Sequence, residues 1–577
     1  MKLIYNINDK PKFGKLLVFA IQQVLAIITA TIVVPIIISG TYASGDVQMS
    51  PAAALLGAGI GTLVYILLTK GKSPVFLGSS FAFLGSMSAA FAGAATVALG
   101  FAGLIVGAIL AGLVYVIIAI IVKFVGAGWL NKLMPAAVIG PTVAIIGLSL
   151  AGNAVGDLQK SAATNVLSGE IAGLEETYKI EQEEFDLASA LYNDAKATLD
   201  SMTDEKEILV QEGIVKALKT NLDIKEKALI EAQNKVASEI AKIKKEQNIN
   251  VLISIACGLV TLAVVILCST FGKKMVKLIP FICGIGAGYG VAILLTIIGA
   301  ITNLEVLKVI NFQPFVDLYT NLITNGKGAI ELIQTGNMVD ALKSLYVASK
   351  TFVALPDITF VKAFGIFGEF SNGTLNIETV LSYLVAVAVA YVPVALVVFT
   401  EHVADHKNIS SIIGKDLLEE PGLHRTLLGD GVGSMAGALV GGCPNTTYGE
   451  SVACVAITKN ASVATIFTAA ILAIIISFLS PFVALVNTIP SFVMGGVCVA
   501  LYGFIAVSGL KMIQKVDLGA NRNLFVVATI LITGIGGLVI SFGQIKITSI
   551  ACALILGILV NLMLNKAKTT EAEENAE

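Results

Sequence analysis

The feature that most constrains this chain is the length and spacing of its apolar runs. Fourteen follow one another, near 15–39, 51–69, 75–93, 95–122, 134–155, 250–271, 278–301, 377–400, 425–441, 444–458, 461–485, 488–509, 523–542 and 547–564. A helix needs about 20 apolar residues to cross the hydrocarbon core of a bilayer, and most of these runs reach or approach that length. The chain is 56% hydrophobic and 14% charged, against roughly 25% charge in soluble domains. So much apolar surface has no single aqueous core to enter, and the bilayer is the expected solvent. The sequence therefore predicts an all-α polytopic membrane protein. The first run follows a Lys-bearing polar start and is full length, so it reads as a retained span rather than a cleaved signal. A formal net charge of −2 leaves no footprint for nucleic acid. The seven cysteines lie in or beside apolar runs without metal-ligand spacing and read as small core residues.

The runs fall seven on each side of a polar region at 302–376. The third in each half is short or broken: 75–93 contains Gly78-Ser79-Ser80-Phe81, and 444–458 contains Thr446-Thr447-Tyr448-Gly449. Interrupted spans at matching positions of two halves point to an inverted repeat with its site near the midplane. The expected fold is thus 14 transmembrane segments in a 7+7 inverted repeat. Charge then tests the orientation. With the N-terminus inside, the inner segments hold 20 Lys and Arg, and the short outer loops hold one, Lys546. That asymmetry predicts that both termini are cytoplasmic.

Two large segments then lie outside. Residues 157–248 carry apolar or small residues at Tyr178, Phe185, Ala188, Tyr192, Ala195 and Leu199, and again at Val215, Leu218, Leu222, Leu229, Ala232, Val236 and Ile243. Steps of 3, 4 or 7 with Glu and Lys between them read as a coiled-coil seam. Ser201-Met202-Thr203-Asp204 breaks it, and Asp204 or Thr203 is the expected cap of a second helix. The prediction is an antiparallel helical hairpin with arms of at least ~40 Å, a spacer or a docking arm for an unidentified partner. Residues 302–376 read as one or two short helices over the outer face, 566–577 as a cytoplasmic tail, and Thr569–Glu577 within it as polar, acidic and disordered. The expected order is spans 1–5 in 1–156, the hairpin in 157–248, spans 6–7 in 249–301, the amphipathic segment in 302–376 and spans 8–14 in 377–565.

Within this frame Glu450 stands out. A carboxylate inside a membrane span costs a few kcal/mol or more and is retained where it faces a cavity, a partner or a ligand. The broken span also frees backbone N–H and C=O groups toward a cavity. A planar polar ligand can bond to those groups while the carboxylate accepts its N–H donors. Glu401 follows a run already long enough to span, so two readings stand: it marks the inner end of a helix, or an extended helix buries it. His402, His406 and His424 share one window, but no Cys joins them and a zinc site is not expected. His402 and His406, with Asp405, are candidates for proton handling; His424 reads as a solvated loop residue.

These residues also carry a resemblance. Glu401-His402-Val403, Lys415-Asp416-Leu417-Leu418, Glu419-Glu420-Pro421-Gly422-Leu423-His424-Arg425, Pro444-Asn445-Thr446-Thr447-Tyr448-Gly449-Glu450 and Ala456-Ile457-Thr458-Lys459 closely resemble the bacterial uracil permeases of the nucleobase–ascorbate (nucleobase:cation symporter-2) family. Gly78-Ser79-Ser80-Phe81-Ala82-Phe83 matches their third span, and Phe352-Val353-Ala354-Leu355-Pro356 resembles the segment before their eighth. The resemblance covers nearly all spans in order, but not the hairpin or most of 302–350. It implies a core domain (spans 1–4 and 8–11), a gate domain (spans 5–7 and 12–14), and short antiparallel strands in segments 3 and 10. It also implies uracil or a related pyrimidine held by Glu401 and Glu450, with Phe81, Ser80, Tyr448 and Gly449 around it. A homodimer through the gate domain and a bacterial cytoplasmic-membrane location follow from the same likeness. Two positions depart from the family pattern: Asp405 stands where many members have His, and Gln22-Gln23 where a Gln-His pair is common. Both touch polar groups tied to coupling, so the proton is the expected co-ion and sodium the alternative; no other cofactor is expected.

The resulting expectation is a cation-coupled nucleobase permease and not an enzyme. Its alternatives are an anion exchanger or channel of related fold, which needs a cation at the broken spans, and an adhesion or receptor protein built on the hairpin.

Overall fold

A computed structural model describes residues 3–41, 47–126, 129, 133–273, 275–334, 338–542 and 545–564. The expected tail at 566–577 lies outside these. The protein is mostly helical, with many apolar helices fitting a polytopic membrane protein. Its main helices are α1 (Phe13–Thr41), α2 (Pro51–Leu68), α3 (Leu84–Ala92), α4 (Val97–Val125), α5 (Ala136–Ser149), α6 (Ala151–Leu158), α7 (Ala162–Ser201), α8 (Glu205–Phe271) and α9 (Pro280–Thr302). After them come α10 (Gln313–Gln334), α11 (Met338–Ser349), α12 (Ile377–Ile413), α13 (Leu423–Gly441), α14 (Gly449–Thr458), α15 (Val463–Ser477), α16 (Ser480–Thr488), α17 (Ser491–Ile513), α18 (Asn521–Ile535) and α19 (Ser549–Met563).

Two three-residue strands interrupt this pattern where the sequence is broken. β1 (Leu77–Ser79) pairs antiparallel with β2 (Asn445–Thr447), Gly78 opposite Thr446. The pair is extended by Ser80 N–H to Pro444 O at 2.9 Å and Tyr448 N–H to Phe76 O at 3.2 Å. Segments from the two halves of the chain thus satisfy each other's backbone, which a broken span inside an apolar environment requires. The pair rests on α2 and α13, whose glycines let the helices touch: a Cβ on Gly57 would lie 2.4 Å from Gly437 O. Asn445 locks the strand to this base, its Nδ2 donating to Gly57 O at 3.1 Å and its backbone N–H to Ser434 Oγ at 2.9 Å.

Several sequence expectations are corrected. The run at 250–271 does not start a separate helix: with good helix formers and no breaker before it, it continues the second hairpin arm as the 67-residue α8. The run at 134–155 is two helices, α5 and α6, meeting at Leu150. The run at 461–485 is likewise divided, α15 ending at Ser477 and α16 beginning at Ser480. The run at 523–542 is helical only to Ile535; Gly536 and Gly537, the latter at φ 71°, end it. Its remainder forms β3 (Ile540–Phe542), paired with β4 (Ile545–Ile547). The segment 302–376 holds more than one or two short helices, since α10 alone has 22 residues. The hairpin itself is present, with α7 packed on α8 and Asp204 capping the second arm through Lys206 N–H at 2.9 Å.

Candidate functional site

α12 decides between the two readings of Glu401. The helix does not end after Thr400 but continues to Ile413, where Gly414 caps it at φ 70°. Glu401 is therefore an interior residue. Glu401 and Asp405 are four residues apart and share one helix face; His402 and His406 share the next. The first pair opens on a cavity and the second pair is packed away from it.

The cavity has a volume of about 390 Å³. One wall is polar and comes from the broken segments and α12: Ser80, Phe81, Glu401, Asp405, Thr446, Tyr448, Gly449 and Glu450. The facing wall is largely apolar, with Val143 and Ile146 of α5, Phe281 of α9, and Leu501, Phe504 and Ile505 of α17. Lys277 and Met512 sit on the same side, remote from the hairpin end of α8.

Of the residues singled out in the sequence, Glu401, Glu450, Gly449, Phe81, Ser80 and Tyr448 all reach this cavity, as does Asp405. Glu401 and Gly449 are exposed into it, while Asp405 and Glu450 are partly covered. Ser80 Oγ is buried with no hydrogen-bond partner among the described residues. Gly449 and Glu450 form the first turn of α14, whose leading amides have no acceptor within the helix and carry its positive end. Tyr448 also braces the strands, because its hydroxyl donates to Ser79 O at 2.6 Å and pins β1 from the side. Asp405 is likewise engaged, accepting from Thr447 Oγ1 at 2.9 Å.

His402 and His406 are fully buried and do not line the cavity. Their rings stack with centroids 4.1 Å apart. His402 Nδ1 meets Asp430 Oδ2 at 2.6 Å and its Nε2 meets Thr426 Oγ1 at 3.0 Å. His406 donates from Nδ1 to His402 O at 2.8 Å, leaving Nε2 to accept from the Tyr65 hydroxyl at 2.7 Å. Every ring nitrogen is occupied, so these residues brace α12 against α2 and α13. His424, expected in a solvated loop, is instead the second residue of α13 and is partly buried. Gln23 of α1 donates to Ser451 Oγ, which in turn accepts from Phe76 N–H at 3.0 Å.

The sequence reading missed Asp430 and Lys277 as neighbours of the site, and it named Gln23 through its departure from the family pattern. Asp430 was findable by the argument that found Glu450, since Gly429-Asp430-Gly431 is also a lone carboxylate in an apolar, Gly-rich run. Nothing local marked Lys277.

A multi-pass helical protein with a ligand-sized chamber at a pair of broken segments is built as a membrane transporter. Comparison with known proteins agrees. The Permease family model matches residues 14–181 and 229–542. The chain is 31% identical to the uracil permease of Bacillus subtilis (strain 168) over 576 residues, covering 99% of this chain and 98% of that protein. It is 30% identical to the uracil permease of Bacillus caldolyticus over 566 residues, 98% and 95% of the two chains, and 28% identical to that of Escherichia coli (strain K12) over 571 residues, 99% and 96%. The chain belongs to this permease family, and its members are transporters rather than enzymes.

Proposed function

We propose that the chain is a secondary-active permease that takes up uracil, coupled to a cation. The observation that carries this reading is the polar wall: Glu401 and Glu450, with the first turn of α14, line one cavity whose other wall is largely apolar. A planar pyrimidine dione presents ring N–H donors and carbonyl acceptors at its edge and apolar faces above and below. Its N–H groups donate to the two carboxylates, its carbonyls accept from the amides near Phe81 and Gly449, and its faces lie against Phe81 and the apolar wall. The names of the relatives support the same substrate.

The accompanying architecture is fourteen spans in a 7+7 inverted repeat, with α1–α4 and α12–α16 as the core and the remaining membrane helices as a gate. Contacts between loops support the charge-derived sidedness. Ile4 N–H bonds Lys459 O at 2.8 Å, and Lys72 pairs with Glu420 at 2.5 Å, both joining segments assigned inside. Thr96 bonds Glu369 at 2.5 Å, joining two assigned outside. With the N-terminus cytoplasmic, the Lys277 end of the cavity faces inward. Rocking of the gate wall against the strand pair then exposes the site to either side in turn, and Asp405, the one coupling candidate in the cavity, is placed to exchange the co-ion. The proton is the favoured ion and sodium the alternative. The anion-exchanger reading has one cation on the cavity wall among the described residues, Lys277, and it lies on the gate side rather than at the strands.

The test is counterflow of labelled uracil in proteoliposomes under separate proton and sodium gradients, with competing nucleobases. The parent should exchange uracil, and Glu401→Gln and Glu450→Gln should each lower exchange at least about tenfold, as expected when a charged hydrogen bond to the ligand is lost at a cost near 1.4 kcal/mol or more. Parent-level exchange in both variants would remove the site assignment.

A further inference from the structure

The hairpin carries a feature that its own packing does not use. Its two helices are tied in register by Lys225 with Glu184, by Gln211 Nε2 donating to Ala195 O at 2.9 Å, and by Lys219 5.5 Å above the Tyr192 ring. Their seam is closed by Phe185, Ala188, Leu218 and Leu222. Yet Leu187, Val210 and Ile224 are 62%, 66% and 59% exposed, and Ile180, Leu191 and Ile214 are exposed with them. At 3.6 residues per turn, Ile180, Leu187 and Leu191 fall on one flank of α7, and Val210, Ile214 and Ile224 on one flank of α8. Because the helices are antiparallel, the two flanks lie on the same side of the hairpin. Leu209 and Ile230 point elsewhere. The opposite side is charged, with Lys179, Asp186, Lys219, Asp223 and Glu226. On the apolar side Glu184 and Lys225 neutralise each other, and Asp194 of α7 and Lys206 of α8 fall on the same flanks.

We propose that this face is an interface with a second copy of the same chain, the two hairpins closing into a four-helix bundle above the membrane. Lipid does not reach this far: α8 alone is about 100 Å long by helix rise, more than three times the hydrocarbon thickness. Two copies in one membrane hold their hairpins parallel and at one height. A two-fold axis along the membrane normal then sets α7 of each copy against α8 of the other. Charge favours that pairing. α7 holds nine acidic residues and two Lys, whereas the hairpin part of α8, 205–250, holds eight acidic residues and nine Lys. Facing α7 on α7 would oppose two acidic helices, and the two-fold arrangement avoids this. It also brings Leu187 level with Ile224 of the second copy, since the in-register ties place residue 224 at the height of about 186.

The experiment co-expresses two differently tagged full-length copies, one with Leu187→Cys and one with Ile224→Cys, and oxidises the membranes. The hairpin has no native cysteine, and the parent pair corrects for links elsewhere. The expected result is a mixed-tag band of doubled mass that reduction removes and that the opposite-face pair Asp186→Cys with Asp223→Cys does not give. No mixed-tag link, or an equal link from the opposite face, overturns the proposal. So does protection of the Leu187→Cys variant from maleimide in cells without a homotypic link, which assigns the face to a different protein.

Discussion

At Gly78 the backbone of β1 passes directly beneath the Tyr448 ring. A Cβ there would lie 2.3 Å from the ring, so the ring must leave its place and its 2.6 Å bond to Ser79 O. Gly78→Ala is therefore expected to lower stability by about 1–3 kcal/mol, as overpacking does, and to reduce uptake more than Tyr448→Phe, which removes the hydroxyl and leaves the ring. Thermal unfolding of the purified protein, with and without uracil, together with uptake by both variants, checks this. Equal uptake in the two would mean that the ring's position does not hold the site. The lining of the candidate cavity was largely legible at this scale, because a carboxylate in an apolar run announces itself by its desolvation cost. What could not be read was the division of labour along α12. The sequence offers Glu401 as a ligand carboxylate or a helix end and His402, Asp405 and His406 as candidates for proton handling, and only the helix orientation shows that Glu401 and Asp405 face the cavity while the two histidines brace the fold. Asp430 belongs to the second group as the buried partner of His402.

Among the elements, the broken segments were visible and the fused ones were not. Gly78-Ser79-Ser80 and Thr446-Thr447 stop a helix by local chemistry, which is why β1 and β2 fall where the runs are interrupted. A polar arm that flows into an apolar span carries no such signal. The hydropathy changes near residue 250 while the backbone of α8 does not. The same blindness extended the run ending at 542 through Gly536 and Gly537, since hydropathy counts β3 and α18 alike. The start of α8 is better defined. Asp204 Oδ1 accepts from the backbone N–H of Lys206 at 2.9 Å and Glu207 at 3.4 Å. Asp204→Ala should weaken this end by about 0.5–2 kcal/mol. Because the tip lies far from the cavity, the loss should appear as faster hydrogen exchange in the first turn of α8, with uptake unchanged. Unchanged exchange at those amides would mean that the turn is held by packing rather than by its cap.

For the molecule as a whole, the question is whether transport needs the hairpin. The cavity, the strand pair and both cavity walls lie in the membrane part, and no hairpin residue lines the cavity. The hairpin joins that part through a polar knot: Asn250 Oδ1 accepts from Ser161 Oγ at 2.6 Å and its Nδ2 donates to Val306 O at 2.9 Å. Just above, Gln247 Nε2 donates to Ser168 Oγ at 2.9 Å, so residues 168 and 247 stand side by side. Replacing 169–246 with a short Gly-rich turn keeps every bond of the knot and removes the rest of both arms. A cut made below Ser161 would free Asn250 and leave a buried amide unsatisfied, at roughly 1–3 kcal/mol. A permease whose site sits in the membrane should keep uracil uptake per folded molecule in the 169–246 truncation, and lose only the mixed-tag association assigned to the arms. A receptor or adhesion protein built on the hairpin would lose its activity with it. Uptake in cells, normalised to protein recovered in the membrane, separates the two, and loss of uptake by a correctly inserted truncation would mean that the arms take part in the transport cycle.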